Sequence, residues 1–343
     1  MISPPIGSRS METDRYSISE EFFLSLVHNA LSVQSAEDGF FRINRFTSTQ
    51  KEEASAHPLY RAMANTAAGA CLRFKTRSVV QLEIKRINQS LLPRANEGAL
   101  DLASLYGRPL DLEESIDVAY EDGRVDYLPL KHGVIEIGPS EQVSIYLPLH
   151  HQVEVRLSGE VESIGRNPSM HLLLGDSIMQ GVGIHHPSQS LGSMLETLTG
   201  SGFLNQGLAG TLISPRLVQE LPLAHPLAGI IIGYGTNDWV VRENLAELRW
   251  EMFALLGRIR KFHPLTPVVV LTPLWRADIQ QAKRMGSFAE MQAALMQATK
   301  CFPKVSVADG LSLSLRDSYD DEFLHPGSKA VAFLAKGLAR QLS

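Results

Sequence analysis

Apolar and polar residues alternate along the chain in two different ways, one on each side of about residue 165. From about residue 70 to 160 the period is two, and turn residues such as Glu121-Asp122-Gly123 separate the alternating stretches. These stretches are RSVVQLEIKRI, SIDVAYEDGRVDYL, HGVIEIG, EQVSIYLPL and HHQVEVRLSGEVE. Several short strands without helices between them favour an antiparallel sheet pair. We therefore predict an antiparallel, jelly-roll-like β-sandwich within residues 1–165.

Beyond residue 165, short apolar runs alternate with segments of helical period. The apolar runs are LLL (172–174), GFLN, GIIIG (229–233), PVVVLT (267–272) and VSVA (305–308). The helical segments cover residues 188–200, 244–262, 287–302 and 328–342. Strands that alternate with helices predict an α/β fold, in which a doubly wound parallel sheet is covered on both faces. We assign this domain to residues 166–343.

The segment 17–33 (SISEEFFLSLVHNALSV) carries its own signals. Ser17-x-x-Glu20 has the spacing of a capping box, and Phe22, Phe23, Leu26 and Val27 follow at helical spacing. The pattern predicts a short helix, or a helix that gives way to a strand.

Composition limits the kinds of partner. The 343 residues allow two domains at ~150 residues per domain. A net charge of −5 without a basic run makes nucleic acid and anionic membranes poor partners, and no apolar stretch approaches the ~20 residues of a bilayer span. The first residues lack the apolar core of a secretory signal. Cys71 and Cys301 suit a reducing compartment as buried thiols, so we predict a cytoplasmic protein.

The stretch LLLGDSIMQG (172–181) contains the strongest candidate for a catalytic residue. It places Ser177 directly after a predicted strand and before a glycine-bearing loop. In an open parallel sheet this position faces the crevice at the carboxyl ends of the strands, where ligands bind. A Gly-Asp-Ser triplet alone is equally compatible with a plain tight turn, so the other motifs of this half decide its interpretation.

Three further motifs lie at strand ends or before the last helix. NQGLAG (205–210) offers the amides of Gly207 and Gly210, GTND (235–238) offers the amide group of Asn237, and DEFLHPG (321–327) offers His325. Acyl transfer needs a nucleophile, a base, a group that orients the base and donors for the oxyanion. The motifs supply each of these residue types.

The ordered set resembles the SGNH (GDSL) family of esterases and acyltransferases over about residues 168–343. The resemblance implies a flavodoxin-like catalytic domain, with Ser177 as nucleophile and His325 as base. It also implies an oxyanion hole formed by Asn237, Gly210 and the backbone amide of Ser177. The first half resembles, more loosely, the N-terminal β-sandwich of two-domain bacterial members, with carbohydrate-module-like strands.

The residue that would orient His325 is left open by the sequence. The family pattern is Asp-x-x-His, but Glu322 stands three residues before His325, and Asp321 stands one residue earlier. We favour Glu322 because spacing along a tight loop fixes direction. Asp321, or a Ser177-His325 dyad without an acid, are the alternatives.

Paired histidines invite a metal interpretation, which we reject. His150-His151 lie on a predicted strand, where adjacent side chains point to opposite faces, and no partners stand at ligand spacing. We predict no metal and no cofactor. His185 and His186 follow Ser177 closely, and either could line an acyl or acceptor pocket.

Three more residues near strand ends have two interpretations. Trp239, Trp275 and Arg276 either line the same cleft or pack helices on the sheet. Asp176 is expected to make structural hydrogen bonds in the turn rather than to transfer protons.

Three functional hypotheses follow. The first is a serine carboxylic-ester hydrolase acting through an acyl-enzyme on a small-molecule ester. The second passes the acyl group to an alcohol or amine, such as a glycosidic or polyketide-like acceptor. The third is a carbohydrate-binding protein whose SGNH-like domain is inert. In the first two, the sandwich shapes the substrate site or stabilises the catalytic domain and supplies no catalytic group. A fragment starting near residue 165 is then expected to hydrolyse small activated esters if it stays soluble.

Overall fold

The computed structural model describes residues 18–87, 114–131 and 133–342. Its first part contains two antiparallel sheets, and their strands are β1 (Val27–His28), β2 (Ser32–Ser35), β3 (Phe41–Asn44), β4 (Cys71–Thr76), β5 (Val80–Arg86), β6 (Ser115–Tyr120), β7 (Val125–Pro129), β8 (Gly133–Ile137), β9 (Ser140–Tyr146), β10 (Val153–Ser158) and β11 (Glu162–Ser163). One sheet has the order β1-β4-β9-β6-β7, with β11 paired to β4, and the other has the order β2-β3-β10-β5-β8. The predicted β-sandwich is confirmed.

The two sheets enclose one apolar core. Inward residues of both sheets, among them Leu72, Phe74, Leu82 and Val155, form a single buried cluster. Their side chains alternate with exposed ones, as in β5, where every second residue from Val80 to Ile84 is buried. This is the period of two seen in the sequence.

The N-terminal segment is a helix that gives way to a strand. Helix α1 (Glu20–Leu26) is followed directly by β1, and its cap is Ser19, whose side chain accepts a hydrogen bond from the Phe22 amide. The predicted cap residue, Ser17, lies outside the described residues. Strand β3 and the helices α2 (Ser48–Ala54) and α3 (Pro58–Ala64) have no counterpart in the predicted elements.

The second part is built on a parallel sheet. Its strands are β12 (Met170–Gly175), β13 (Gly202–Gly207), β14 (Gly229–Gly233), β15 (Val268–Leu271) and β16 (Val305–Ala308). They run in the order β13-β12-β14-β15-β16, and every pairing is parallel. The predicted doubly wound parallel sheet is confirmed. In this order the switch point lies beside β12, so its carboxyl end opens into a crevice.

Helices cover both faces of this sheet. They are α4 (Ser177–Gln180), α5 (Leu191–Thr199), α6 (Thr236–Val241), α7 (Leu245–Phe262), α8 (Phe288–Thr299) and α9 (Ser328–Leu342). Helix α5 ends at Gly200 in the left-handed region, and α8 starts with the predicted capping box of Ser287 and Glu290. No helix in the described ranges is long and apolar enough to cross a membrane.

The helices α2 and α3 belong to the core of the second part, although they precede residue 165 in sequence. Leu59 and Met63 of α3 and Leu149 join the buried cluster that includes Leu173 and Phe203 of the parallel sheet. Residues of the N-terminal half therefore complete the apolar core on one face of the parallel sheet.

Arg45 ties the two halves together through backbone carbonyls. Its guanidinium is completely buried and donates to the carbonyls of Asn205 (2.9 Å), Gly207 (2.8 Å), Met63 (2.6 Å) and Thr66 (3.2 Å). Buried carbonyls that lose their donors are costly. A fragment starting near residue 165 lacks Arg45, α2 and α3, so the packing predicts that it is less stable than the full chain, and its activity on small esters stays a prediction.

Replacing Arg45 by methionine should lower the free energy of unfolding by about 3–5 kcal/mol, because several buried carbonyls lose their donors. Urea denaturation of the full chain measures this change. Arg77 provides a control: its side chain is 87% exposed and pairs with Glu162, itself 63% exposed, so Arg77→Met should cost about 1 kcal/mol or less. Similar costs for both variants would contradict the role assigned to Arg45.

The two cysteines are both free thiols. Cys71 is buried, and burial raises the pKa of its thiol to about 11. Cys301 is exposed, so the prediction of a buried thiol is wrong for that residue.

Candidate active site

The corner between β12 and α4 holds Ser177 at the carboxyl end of the first parallel strand. The strand ends at Gly175, and Asp176 caps α4 by accepting a hydrogen bond from the Ile178 amide at 3.0 Å. A Cβ at Gly175 would collide with Met179 and with the Gly233 carbonyl, so this corner accepts only glycine. The expected structural role of Asp176 in the turn agrees with this bond. Burial, reinforced by the nearby charge of Asp238, raises the pKa of Asp176 to about 7.

His325 lies between Ser177 and a carboxylate. Its Nε2 is 3.0 Å from the Oγ of Ser177, and its Nδ1 is 2.6 Å from Oδ2 of Asp321. The imidazole is fully buried, and Ser177 is 1% exposed. A serine, an imidazole and a carboxylate thus form a continuous hydrogen-bonded line, which is the geometry of a Ser-His-Asp triad.

Asp321, and not the favoured Glu322, is the carboxylate that faces His325. Glu322 is exposed and has a backbone φ of 57°, in the left-handed region. This reversal lets Oδ1 of Asp321 accept from the amides of Phe323 (3.0 Å), Leu324 (2.7 Å) and His325 (2.9 Å). The loop therefore curls around the Asp321 side chain, and counting three residues back from His325 selects the wrong neighbour.

The surroundings of Asp321 hold its carboxyl group ionised. Burial acts to raise its pKa, but the hydrogen bond and charge of His325 and the backbone amides outweigh burial, so the pKa lies well below its usual range. An ionised carboxylate at Nδ1 keeps the proton of a neutral imidazole on that nitrogen. Nε2 is then left to accept the proton of Ser177.

Gly210 and Asn237 flank the same corner. Gly210 has φ +80° in the loop after β13, and Asn237 lies in α6, directly after β14. The Asn237 amide nitrogen donates one hydrogen bond to the Thr211 carbonyl at 3.1 Å, which links the two segments and leaves its second N–H for another acceptor. Both residues belong to segments that directly follow the strands on either side of β12, the strand that leads to Ser177.

Gly207 serves packing rather than ligand binding. Its amide donates to the Asn205 side chain at 2.9 Å, and a Cβ there would collide with the backbone of Gln180 in α4. The prediction that its amide is offered to a ligand is therefore wrong. Its missing side chain lets β13 approach the helix that carries Ser177.

The N-terminal half contacts the oxyanion segment, which the sequence did not predict. Tyr60 of α3 donates its hydroxyl hydrogen to the Gly210 carbonyl at 3.0 Å. A Cβ at Gly210 would lie 3.1 Å from Leu59, so α3 packs closely on this loop. No local pattern marks Tyr60 as special, because the contact joins residues 150 positions apart.

His185 and His186 mediate contacts between the halves of the chain. His186 stacks on Tyr127 with ring centroids 4.0 Å apart, and its Nδ1 is 2.9 Å from the Ser115 hydroxyl. His185 Nε2 is 3.1 Å from Asp320, next to the loop of His325. His185 is thus the one of the pair that adjoins the site.

The other histidine pair binds a carboxylate instead of a metal. The Nδ1 atoms of His150 and His151 lie 2.6 and 2.5 Å from the two oxygens of Glu114. Burial acts to raise the pKa of Glu114, but the two histidines lower it to about 2. Within residues 18–87, 114–131 and 133–342, no group of three or more His, Cys, Asp or Glu side chains is arranged to hold a metal.

The tryptophans pack rather than line the corner. Trp239 is fully buried against Phe288 and donates to the Gly286 carbonyl at 3.0 Å. Trp275 packs edge-on against Tyr319, and Arg276 is held by Asp278 at 2.5 Å. Helix-to-sheet packing is thus the observed role of Trp239.

Comparisons with known proteins agree with this geometry. Residues 173–332 match the model of the GDSL-like lipase/acylhydrolase family, whereas no curated protein matches the chain in sequence. Among solved structures, a salicylyl-acyltransferase from a tetracycline biosynthetic pathway superposes with a TM-score of 0.72 at 17% identity, covering 92% of each chain.

Two carbohydrate esterases of family two are also similar. The enzyme from Cellvibrio japonicus has a TM-score of 0.62 at 14% identity and covers 93% of this chain and 94% of its own. The enzyme from Clostridium thermocellum, in complex with cellohexaose, has a TM-score of 0.56 at 11% identity and covers 79% and 90%. At these identities the similarity establishes a shared fold, and it extends over both halves of the chain.

Proposed function

Since residues 173–332 of this chain belong to the GDSL-like lipase/acylhydrolase family, we propose that the protein is a serine esterase that forms an acyl-enzyme on Ser177. The main support is the pair of contacts made by His325: its Nε2 is 3.0 Å from Oγ of Ser177, and its Nδ1 is 2.6 Å from Oδ2 of Asp321. The protein is an enzyme of the esterase and acyltransferase class, and the following steps assign roles to its residues.

The first half-reaction acylates Ser177. Nε2 of His325 takes the hydroxyl proton while Oγ attacks the ester carbonyl, and Asp321 stabilises the imidazolium that forms. The backbone amide of Ser177, the amide of Gly210 and the second N–H of Asn237 stabilise the oxyanion. His325 then gives its proton to the departing alcohol, and an ester of Ser177 remains.

The second half-reaction transfers the acyl group from Ser177 to a second nucleophile. Water gives hydrolysis, and an alcohol or amine gives transfer. Transfer is the second candidate function because Ser177 is 1% exposed and His325 is fully buried, and a site that restricts water favours a bound acceptor. The similar structures include both a salicylyl-acyltransferase and carbohydrate esterases, which supports polyketide-like and glycosidic hydroxyls as acceptor classes to test.

Steady-state assays with p-nitrophenyl esters of short acids test both functions. We expect release of nitrophenol, and the fraction of acyl groups recovered as free acid or as a new ester on an added alcohol distinguishes hydrolysis from transfer. Absence of nitrophenol release from any ester, together with binding of oligosaccharides, would instead support an inert domain attached to a carbohydrate-binding sandwich.

Replacing Asn237 by alanine should lower kcat by about 10²–10³, the usual effect of removing one oxyanion donor. KM should change little, because the lost hydrogen bond strengthens only as negative charge develops. Initial rates with p-nitrophenyl acetate measure the effect. A loss confined to KM would remove Asn237 from the oxyanion hole.

A further inference from the structure

A cavity of about 300 Å³ lies between the N-terminal helices and the loop that follows Gly210. Its walls include Ala54, Ala56, His57 and Tyr60 on one side and Leu212 and Ser214 on the other. We call it the hairpin pocket, after the α2–α3 hairpin. One wall of the pocket lies outside the family match, because α2 and α3 precede residues 173–332.

The hairpin pocket shares a wall with the oxyanion segment. Tyr60 lines the pocket and donates to the Gly210 carbonyl at 3.0 Å. Thr211, the next wall residue, accepts a hydrogen bond from Asn237 at 3.1 Å. A group bound in the pocket therefore lies beside the segment that follows Gly210, on the carbonyl side of that residue.

The position of the base decides which part of an ester this pocket can take. His325 must protonate the leaving oxygen, so the alcohol lies on the His325 side of the tetrahedral carbon. Among the described residues that line the pocket, none comes from the loop Asp320–Gly327. The leaving alcohol lies on the His325 side and the oxyanion faces its amide donors, so the acyl group is the remaining substituent and the one that can enter a pocket away from that loop.

The residues that line the pocket limit which acyl groups it can bind. Leu212, Ile213 and Leu217 supply apolar surface, and the rings of His57 and Tyr60 stand 4.4 Å apart. Arg242, the cation at this pocket, is bonded to Asp238 at 2.7 Å and to Glu247, so its charge is already balanced. The walls thus favour a neutral acyl group over one that carries a carboxylate.

We propose, on the basis of the function proposed above, that the hairpin pocket binds the acyl group of the substrate, and that this group is compact, uncharged and about the size of one ring. The volume accommodates a benzoyl or a short branched acyl group with room to spare.

Filling the pocket tests this assignment. Ala56 is exposed and lines the pocket, so Ala56→Trp places a large side chain in it. We expect kcat/KM for p-nitrophenyl benzoate to fall by about 10-fold or more, while the value for p-nitrophenyl acetate stays within about twofold. The matched control is Ala224→Trp, which fills a separate cavity of about 190 Å³ beside Met170, at the opposite end of the parallel sheet. It should leave the ratio of the two esters unchanged.

A second series varies the alcohol at constant acyl group. Phenyl, p-nitrophenyl and methyl benzoates should all lose the same factor in Ala56→Trp. If the loss instead follows the alcohol, the pocket binds the leaving group and the proposal is overturned. If Ala56→Trp lowers kcat/KM equally for the acetate and the benzoate, the same comparison is made with Ser214→Phe, on the opposite wall. An equal loss for both esters in Ser214→Phe also overturns the proposal.

Failure of the acyl-pocket assignment can be distinguished from failure of the proposed function. Labelling of Ser177 by an activated phosphonate, read by mass spectrometry of the peptide, tests the nucleophile alone. Labelled Ser177 with unchanged ester selectivity in Ala56→Trp would reject the pocket assignment only. Unlabelled Ser177 in an active enzyme would reject the proposed function itself.

Discussion

Replacing Ser177 by alanine should lower kcat for ester turnover by about 10⁴–10⁶, the range observed when a nucleophile that works with a base is removed. The reason is structural: Oγ of Ser177 is the atom that faces Nε2 of His325 at 3.0 Å, and alanine leaves the base without a proton to accept. Steady-state rates on p-nitrophenyl acetate measure the loss, and phosphonate labelling at residue 177 should disappear in parallel.

The same substitution should leave the fold unchanged. Gly175 and the Asp176 cap fix the corner independently of the hydroxyl group, so the urea midpoint should shift little. Ser312→Ala, on an exposed hydroxyl that bonds only within its own turn, serves as the control for serine removal and should keep full activity. Turnover by Ser177→Ala at the rate of the Ser312 control would place the nucleophile elsewhere.

The parallel sheet was predictable because its signals are local. Strands β12, β14 and β15 contain the apolar runs LLL, III and VVVL, and helices α5 and α8 have their own stop or start signal, Gly200 and the Ser287 capping box. The motifs follow the strands directly, so parallel pairing brings Ser177, Gly210 and Asn237 to one edge of the sheet. Order along the chain was enough to predict this grouping.

The residues through which the N-terminal half contacts the second half were not predictable, because these contacts have no local pattern. Arg45 looks like an ordinary surface arginine in sequence, yet it is completely buried and bonded to carbonyls about 160 residues away. Tyr60 reaches the Gly210 carbonyl over a similar separation. A domain division based on changes of period therefore separates pieces that share one core.

The acid was mispredicted for a different reason. Counting residues assumes an even path along the loop, but Glu322 takes a left-handed conformation that turns its side chain to solvent. The carboxylate of Asp321 collects three backbone amides, and this organises the loop around residue 321. Only the backbone torsions reveal which of two adjacent carboxylates faces His325.

Replacing Asp321 by asparagine should lower kcat by about 10⁴, as the corresponding change does in a serine-protease triad. An asparagine can still accept the three backbone amides through Oδ1, so the loop keeps its shape. Its NH₂ group, however, then faces Nδ1 of His325 and favours the tautomer with the proton on Nε2. That nitrogen can no longer accept the proton of Ser177, and the nucleophile stays un-ionised. Rates with p-nitrophenyl acetate and urea midpoints separate this catalytic effect from a loss of stability.

Glu322→Gln is the matched control, since it removes the charge of the adjacent carboxylate without changing its size. The side chain is exposed, and substitutions of exposed residues rarely change the free energy of unfolding by more than about 0.5 kcal/mol. We expect kcat to stay near that of the unaltered enzyme. A large loss in Glu322→Gln with normal rates in Asp321→Asn would transfer the orienting role to Glu322. Normal rates in both variants would mean that a Ser177-His325 dyad suffices, with the imidazole held by the rest of its buried surroundings.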